Sequence, residues 1–186
     1  MNKKVKEYIK SDFYRYGKKK NVLSFCKLCI KENALIYSSL MRYYKVYKEE
    51  NKLIRAFFIK VIKKLIFLHS TIEIPMDIEV GKGLYMGHFS GITINKNAKI
   101  GNNVNIHKGV TIGQENRGLR KGTPVIGDRV WIGINSTIVG NITIGNNVLI
   151  APNSFINFDV PSDSIVIGNK IKQCSEATNG YINNIV

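Results

Sequence analysis

The stretch IGDRVWIGINSTIVGNITIGNNVLIAPNSF, residues 126–155, places an isoleucine at every sixth position. A small or β-branched residue recurs four positions after each isoleucine, at Val130, Ser136, Ile142, Val148 and Ser154. A fixed short repeat is typical of a solenoid, here a parallel β-helix. We therefore predict that each hexad forms one short strand and a turn, with its isoleucine stacked inside on its counterpart one coil away. The Gly, Asn and Asp residues between the strands suit turn conformations.

The same period continues on both sides of this stretch. In-register isoleucines precede it at positions 94, 100, 106 and 112, and another follows it at position 156. Val80 and Met86 keep the same spacing before the isoleucines begin. Ten isoleucines in one register are not a chance pattern, so the second half of the chain is predicted to be mainly β.

The register is interrupted twice. The segment 86–94 is two residues too long for the period, and the segment 112–126 is eight residues too long. We place the longer insertion in a loop at 114–124. Departures from a local rule tend to fall at functional sites, and His88 lies beside the first interruption.

The N-terminal third of the chain differs in period and in charge. Between residues 22 and 68 apolar residues recur at intervals of three and four, which predicts helices. Residues 1–70 carry 18 Lys and Arg against 5 Asp and Glu, a net charge of +13 out of +15 for the whole chain. We therefore expect a basic α-helical region at 1–70, a β-helix at 71–170 and a C-terminal tail at 171–186.

The segment 52–68 combines an apolar stripe with interleaved lysines and allows two interpretations. It has no run of about 18 uncharged apolar residues, so a membrane span is not predicted. A basic amphipathic helix can lie on an anionic membrane surface. The alternative is that the stripe packs in an oligomer core while the lysines are solvated.

Cysteine usage and the N-terminus indicate a reducing compartment. The three cysteines cannot all pair, and the charged first 20 residues show no signal-peptide pattern, so we expect a cytoplasmic protein. Cys26 and Cys29 have CxxC spacing without a second ligand pair, and we expect them to pack as small apolar residues. No metal site is predicted.

The array resembles the left-handed β-helix acyltransferases, and within them the serine O-acetyltransferase family, closest to its branch in surface-polysaccharide biosynthesis. The motifs that carry the resemblance are IEIP at 72–75, GKGLYMGHFSGITIN at 81–95, IGNNVNIHKGVTIG at 100–113 and IGDRVWIG at 126–133. It runs from about Leu53 to Lys170 and includes the position of the extra loop. It implies a homotrimer that binds acetyl-CoA between neighbouring β-helices and acetylates a hydroxyl directly.

By this resemblance the catalytic base is His88. The family's orienting carboxylate falls fifteen residues earlier, on Glu73, with Asp77 held in reserve because it is out of register. A hydroxyl is a poor nucleophile, and a histidine with an ordinary pKa near ~6.5 suits removal of its proton at neutral pH. The carboxylate would fix the imidazole tautomer and stabilise the imidazolium. His107, about one coil from Gly87, is expected to shape the acceptor site, and His69 to be inert.

Two departures from the serine-acetylating members concern the acceptor. Those members have an aspartate before the catalytic histidine, where this chain has Gly87. They also have an Arg-His pair before the proline that ends the extra loop, where this chain has Gly122 and Thr123. A zwitterion needs charged partners for both of its charges. We therefore expect a sugar hydroxyl of a surface polysaccharide or its precursor as acceptor, with serine O-acetyltransferase of cysteine biosynthesis as the alternative.

The remaining substrate contacts are also implied by the resemblance. Loop residues available to an anionic group of the acceptor are Arg117, Arg120 and Lys121. The turns expected to bind the pantetheine arm of acetyl-CoA contain Gly133, Ile134, Asn135, Ala151 and Pro152. The residues expected to meet its phosphates are Lys170 and Lys172. Trp131 is expected either to wall the groove or to cap a coil edge.

Other classes of protein fit less well. A hexapeptide carbonic anhydrase needs three histidines converging on zinc, and this chain has three in all, one of them before the β-helix. A non-enzymatic structural solenoid would need neither the loop nor the helical extension. Basic charge alone suggests nucleic acid, but no recognisable binding module accompanies it, so no nucleic-acid partner is expected.

Overall fold

The computed structural model describes residues 3–17, 32–68 and 70–186. The helices in these ranges are α1 (Lys3–Tyr16), α2 (Asn33–Glu49) and α3 (Leu53–Ile66). The helical pattern predicted from residue 32 onward is thus confirmed, with a turn between α2 and α3. The predictions for Cys26, Cys29 and His69 concern residues outside the described ranges.

Fourteen short strands in the described residues form three sheets that wind around one axis. In chain order they are β1 (Glu79–Val80), β2 (Tyr85–Gly87), β3 (Thr93–Ile94), β4 (Lys99–Ile100), β5 (Asn105–His107), β6 (Thr111–Gly113), β7 (Val125–Ile126), β8 (Val130–Ile132), β9 (Thr137–Val139), β10 (Thr143–Ile144), β11 (Val148–Ile150), β12 (Phe155–Ile156), β13 (Ser164–Ile167) and β14 (Lys170–Gln173). The sheet orders are β1-β4-β7-β10, β14-β13-β11-β8-β5-β2 and β12-β9-β6-β3. Successive strands from β1 to β13 therefore lie in different sheets, which confirms the predicted parallel β-helix with helices before it.

The predicted isoleucine stacks form the core. One column joins Met86, Ile106, Ile132 and Ile150, each paired in register with the next, and none of the four side chains is more than 1% exposed. The other sheets carry the equivalent columns Val80-Ile100-Ile126-Ile144 and Ile94-Ile112-Ile138-Ile156. The columns that begin at Met86 and Val80 continue across both interruptions, and the column that begins at Ile94 continues across the second one. The inserted residues therefore leave the stack without shifting it.

Turn residues between the strands form the corners of the β-helix. Asn103 and Asn147 have φ angles of 55° and 54°, in the left-handed region that asparagine tolerates better than most residues. Side chains at another corner link successive coils, since Asp128 accepts a 2.6 Å hydrogen bond from the Asn102 amide. The Asp128 amide in turn donates to Asn146 at 2.8 Å. The polar residues of the hexads thus set the coil spacing.

A buried ion pair attaches the helices to the first coil. Arg42 on α2 donates two 3.0 Å hydrogen bonds to Asp12 on α1, and these side chains are 8% and 0% exposed. Arg42 also donates to the carbonyls of Val80 and Gly81 at 2.7 and 2.6 Å. Asp12 accepts a 3.0 Å bond from the amide of Leu84. One pair of side chains therefore fixes α1, α2 and the β-helix together.

The side of helix α3 that packs on α2 includes lysine side chains. Ala56 is the buried residue of this helix. Lys60 lies over the ring of Tyr44 at 5.2 Å, and Lys63 lies over Tyr37 at 5.3 Å. The large apolar side chains face outward, between 36% and 75% exposed: Leu53, Ile54, Phe57, Phe58, Val61, Ile62, Leu65, Ile66 and Leu68. Within the described residues, no helix is both long enough and apolar enough to span a membrane.

The six-stranded sheet ends in a hairpin. Strand β13 is parallel to β11, but β14 pairs with β13 in the antiparallel direction. The chain then returns along the coils toward the first one, where Val186 exchanges backbone hydrogen bonds with the side chain of Asn103 at 2.8 and 2.9 Å. The division of the chain at residues 70 and 170 stays a prediction.

Candidate active site

His88 directly follows β2, at the corner where the first inserted residues lie. Its φ angle is 51°, a left-handed conformation that is uncommon for residues other than glycine, although histidine, asparagine and aspartate adopt it more often than most. The side chain is exposed and forms no hydrogen bond to another described residue. An exposed imidazole on a constrained backbone is available to an incoming hydroxyl, as general-base catalysis requires.

Glu73 lies on the neighbouring face of the β-helix. Its backbone pairs with Thr93, donating to the Ile92 carbonyl at 2.8 Å and accepting from the Ile94 amide at 2.9 Å. The carboxylate is exposed and lines an open groove with Asn95. Among the described residues no hydrogen bond joins Glu73 to His88, so their pairing stays a prediction.

Asp77, the reserve carboxylate, has a different partner. It accepts a 2.6 Å hydrogen bond from Lys48 on α2. That bond lowers the pKa of Asp77 below its ordinary value. Asp77 therefore serves the attachment of α2.

His107 lies on β5, paired in register with Gly87 on β2, as the hexad spacing predicted. Its Nδ1 lies 2.9 Å from the carbonyl of Ile132. Because a carbonyl only accepts, Nδ1 carries the proton and Nε2 is the free acceptor. Burial lowers the pKa of His107. The hydrogen bond to the Ile132 carbonyl acts in the opposite direction, and the nearby His88 lowers the pKa by a smaller amount. The ring is therefore neutral at neutral pH.

The ring of His107 occupies the space in which a side chain at position 87 would lie. A Cβ added to Gly87 would be 2.7 Å from Cδ2 and 2.9 Å from Nε2 of His107. Real Cβ contacts are almost never this short, and the hydrogen bond to Ile132 holds the ring in place. An aspartate, as in the serine-acetylating members, does not fit at position 87 while His107 keeps this position.

The Gly87→Ala variant tests this contact. Overpacking of this kind typically costs about 1–3 kcal/mol of unfolding free energy, partly offset by about 0.4–1 kcal/mol from the stiffer unfolded chain. We expect a net loss of stability in urea unfolding. Gly17→Ala is the matched control, because nothing in the described part of the chain lies within 4 Å of a Cβ at Gly17. A Gly87→Ala protein as stable as the control would contradict the assigned position of the His107 ring.

Aromatic residues surround His107, and of these the sequence reasoning selected Trp131 alone. The ring of Trp131 on β8 lies 4.6 Å from His107, and the ring of Tyr181 lies 5.2 Å from Trp131. On the other side Tyr85 is 6.3 Å from His107, and Tyr16 of α1 is 4.6 Å from Tyr85. Trp131 thus belongs to an aromatic cluster beside His107, and its expected position at the acetyl-CoA groove stays a prediction. The sequence could have indicated Tyr85, because it occupies an outward position on a strand next to that of His107. No sequence pattern linked Tyr16 or Tyr181 to these residues.

These rings border a cleft of about 320 Å³. Its polar lining consists of Arg15, Glu32, Asn105, Asn183 and Asn184. The cleft is therefore built from α1, the start of α2, three strands of the largest sheet and the C-terminal tail.

The loop residues predicted to contact the acceptor do not line this cleft. Arg117 and Arg120 are exposed, and the hydroxyl of Thr123 donates to the Asn97 carbonyl at 3.1 Å. The loop is closed by a bridge between Glu115 and Gly122. Within one chain the structure does not bring these loop residues together with His88, so their role stays a prediction.

The turns predicted to hold acetyl-CoA are close to one another. A Cβ on Gly133 would lie 2.5 Å from the backbone nitrogen of Pro152, so the two turns stack directly. The amides of Gly133 and Ala151 already donate to the carbonyls of Ile150 and Val166. These two amides are therefore occupied, and any pantetheine contact here would use other groups.

The other predicted acetyl-CoA residues lie on open surface. Asn135 is exposed at the corner with a φ angle of 58°, next to half-buried Ile134. Lys170 and Lys172 are exposed on β14, where phosphates could approach. No group of three His, Cys, Asp or Glu in the described part of the chain is arranged to hold a metal ion.

Comparison with known proteins gives consistent matches. Residues 123–157 match the family model described as bacterial transferase hexapeptide (six repeats). The serine acetyltransferase of Helicobacter pylori is 32% identical over 116 residues, which is 62% of this chain and 68% of that protein. The enzyme of the same name from Staphylococcus xylosus is 38% identical over 109 residues, 59% of this chain and 50% of its own length. This chain thus matches 50% to 68% of the length of these relatives.

Solved structures agree over more of the chain. The Neisseria gonorrhoeae serine acetyltransferase in complex with serine superposes with a TM-score of 0.73 at 27% identity, covering 92% of this chain and 69% of that one. The soybean serine acetyltransferase apoenzyme gives a TM-score of 0.73 at 26% identity, with the same coverage. The agreement includes the helices as well as the β-helix.

Proposed function

Because this chain belongs to the serine acetyltransferase family of hexapeptide-repeat transferases, we propose that it is an O-acetyltransferase that uses acetyl-CoA as donor. The names of its relatives favour serine as acceptor over the polysaccharide hydroxyl expected from the sequence. The observation that carries the enzymatic proposal is the exposed imidazole of His88 at the first register interruption.

His88 acts as the general base in this proposal. A ring nitrogen takes the proton of the acceptor hydroxyl as its oxygen attacks the thioester carbonyl carbon. The new C–O bond forms, the C–S bond breaks, and the departing thiolate of coenzyme A receives the proton from the imidazolium. Glu73 is the proposed positioning residue for the imidazole. The donor binds along the turns at 133–135 and 151–152, with Lys170 near its phosphates.

One observation favours a sugar hydroxyl as a second candidate acceptor. The space that an aspartate at position 87 would need is filled by His107. Gly122 and Thr123 stand where an arginine and a histidine would be expected for the serine carboxylate. Both charged partners of a zwitterion are therefore replaced by neutral groups.

The outward face of α3 bears on assembly. We propose that a second copy of the chain covers it, as in the homotrimer implied by the family resemblance. Lys60 and Lys63 are directed at tyrosines of α2, so they are poorly placed for an anionic lipid surface. Leu119, fully exposed at the tip of the extra loop, is a second apolar residue available to a neighbouring chain. A monomer that sediments with anionic vesicles would support peripheral membrane contact through 52–68 instead.

Thiol release from acetyl-CoA by purified protein tests the proposed activity. We expect release that depends on an added acceptor, with L-serine first, then sugar nucleotides and extracted surface glycan. Turnover with L-serine alone would establish the serine acceptor and reject the glycan. Turnover with glycan alone would reject serine. No acceptor-dependent release with any of them would contradict the proposed function.

A further inference from the structure

The cleft beside His107 has a wall of aromatic rings that run across adjacent coils. His107, Trp131 and Tyr181 form a continuous series, with neighbouring ring centres 4.6 and 5.2 Å apart. Each is only partly covered by protein. Aromatic ring faces carry partial negative charge. They therefore attract the weakly positive C–H groups that a pyranose ring presents on one face.

The polar residues of the cleft suit an uncharged ligand. Arg15 and Glu32 carry opposite charges and line the same space as Asn183 and Asn184. Small-molecule sites commonly combine aromatic walls with a few polar groups that fix orientation. Asparagine side chains both donate and accept, as ring hydroxyls do.

Arg15 is poorly available to a free carboxylate, which argues against serine in this cleft. Its side chain is 5% exposed, and its terminal nitrogens donate to the Asn183 carbonyl and to the side chain of Asn105. Nε is buried and has no acceptor among the described residues. A serine carboxylate would have to reach a guanidinium group that is almost fully buried and whose two terminal nitrogens already bind the protein.

The end of the cleft formed by His107 lies against Gly87, the residue before the proposed base. A cleft of about 320 Å³ is at the lower limit of typical ligand sites, about 300 Å³, which suits one sugar unit. We propose that this cleft binds an uncharged pyranose ring in contact with Trp131 and Tyr181, and presents one of its hydroxyls to His88. This inference rests on the second candidate under the proposed function.

Intrinsic fluorescence measures the binding directly, because Trp131 is the only tryptophan in the chain. The probes are methyl glucoside, methyl galactoside and N-acetylglucosamine, with excitation chosen to avoid the tyrosines. Sorbitol, a polyol without a ring, and L-serine are the comparison ligands. We expect a saturable change with at least one pyranose and none with sorbitol or L-serine.

A variant and a control assign the response to the cleft. Tyr181→Ala removes one exposed ring of the wall and is expected to weaken pyranose binding about 2–10-fold. Phe155→Ala removes an exposed aromatic residue from β12, in a different sheet, and is expected to leave binding unchanged. Equal weakening in both variants would overturn the assignment to this cleft.

The outcomes separate this proposal from the proposed activity. Acceptor-dependent thiol release without any fluorescence response to the pyranoses would overturn the cleft proposal and leave the enzyme assignment intact. A saturable response that Tyr181→Ala weakens, without thiol release, would support the cleft and contradict the activity. A saturable response to L-serine that Tyr181→Ala weakens would overturn the choice of ligand.

Discussion

Replacing His88 with alanine is expected to lower kcat by about 10²–10⁴-fold, the usual contribution of a general base. Binding of acetyl-CoA should change little, because the proposed donor turns lie on later coils. The measurement is thiol release with whichever acceptor supports turnover. A KM for acetyl-CoA close to that of the unchanged protein is part of the expected result.

The backbone at His88 requires a second variant. Alanine is strained at a φ angle of 51°, so a loss of activity could come from a distorted corner. Asparagine tolerates this conformation and lacks an effective base, so His88→Asn should be as inactive as His88→Ala and more stable. Lys96→Ala, an exposed turn residue outside the proposed machinery, is the control with ordinary activity expected. Retained turnover in His88→Asn would contradict the assignment of the base.

Asp12→Ala is expected to cause the largest loss of stability, about 3–5 kcal/mol, as is usual when one partner of a buried ion pair is removed. The charge of Arg42 would remain 8% exposed without a counter-ion, and the Leu84 amide would lose its acceptor. Urea unfolding measures the difference. Because this ion pair joins α1 and α2 to the first coil, near-ultraviolet circular dichroism should change as well.

An exposed ion pair gives the control for this prediction. Glu79 and Lys99 lie 3.7 Å apart with side chains 66% and 59% exposed, and Glu79→Ala should cost no more than about 1 kcal/mol. If Asp12→Ala does not fold, Asp12→Asn keeps the shape and should show a smaller loss of the same sign. Equal stability of the Asp12 and Glu79 variants would contradict the role given to the buried pair.

The β-helix could be predicted from the sequence because its rule is local and repeated. Each hexad contains its own inward residue and turn residues, so the columns through Ile106, Ile132 and Ile150 could be placed without knowing distant contacts. The two interruptions were located by the same counting. His88 was found through one of them together with its motif.

The aromatic cleft could not be predicted in this way. Tyr16 and Tyr181 are far apart in the chain, and each contacts the β-helix by hydrogen bonds. The Tyr16 hydroxyl accepts from the Met86 amide, and the Asn105 side chain donates to the Tyr181 carbonyl. Neither contact belongs to a repeating pattern. Periodicity therefore predicted the scaffold but not the cleft, and the assignment of His88 as the base stays a prediction.

The orientation of α3 also differs from what its sequence pattern suggests. An apolar stripe ordinarily faces the core of its own chain. Here the tyrosines of α2 pack with Lys60 and Lys63 through the faces of their rings, and the stripe faces outward. The sequence pattern of a single chain does not specify what covers an outward stripe.

The hairpin at the end of the six-stranded sheet limits how copies of this protein can associate. An open final coil would offer unpaired backbone groups to another solenoid, and end-to-end polymerisation could follow. Strand β14 reverses direction, so the parallel ladder stops at β13. Lys170 and Lys172 add charge to the new edge, which disfavours pairing with a further strand. Pairing of another copy at this end of the β-helix is thus disfavoured. Contact through the sides formed by the three sheets is then the more favourable way for copies of the chain to associate.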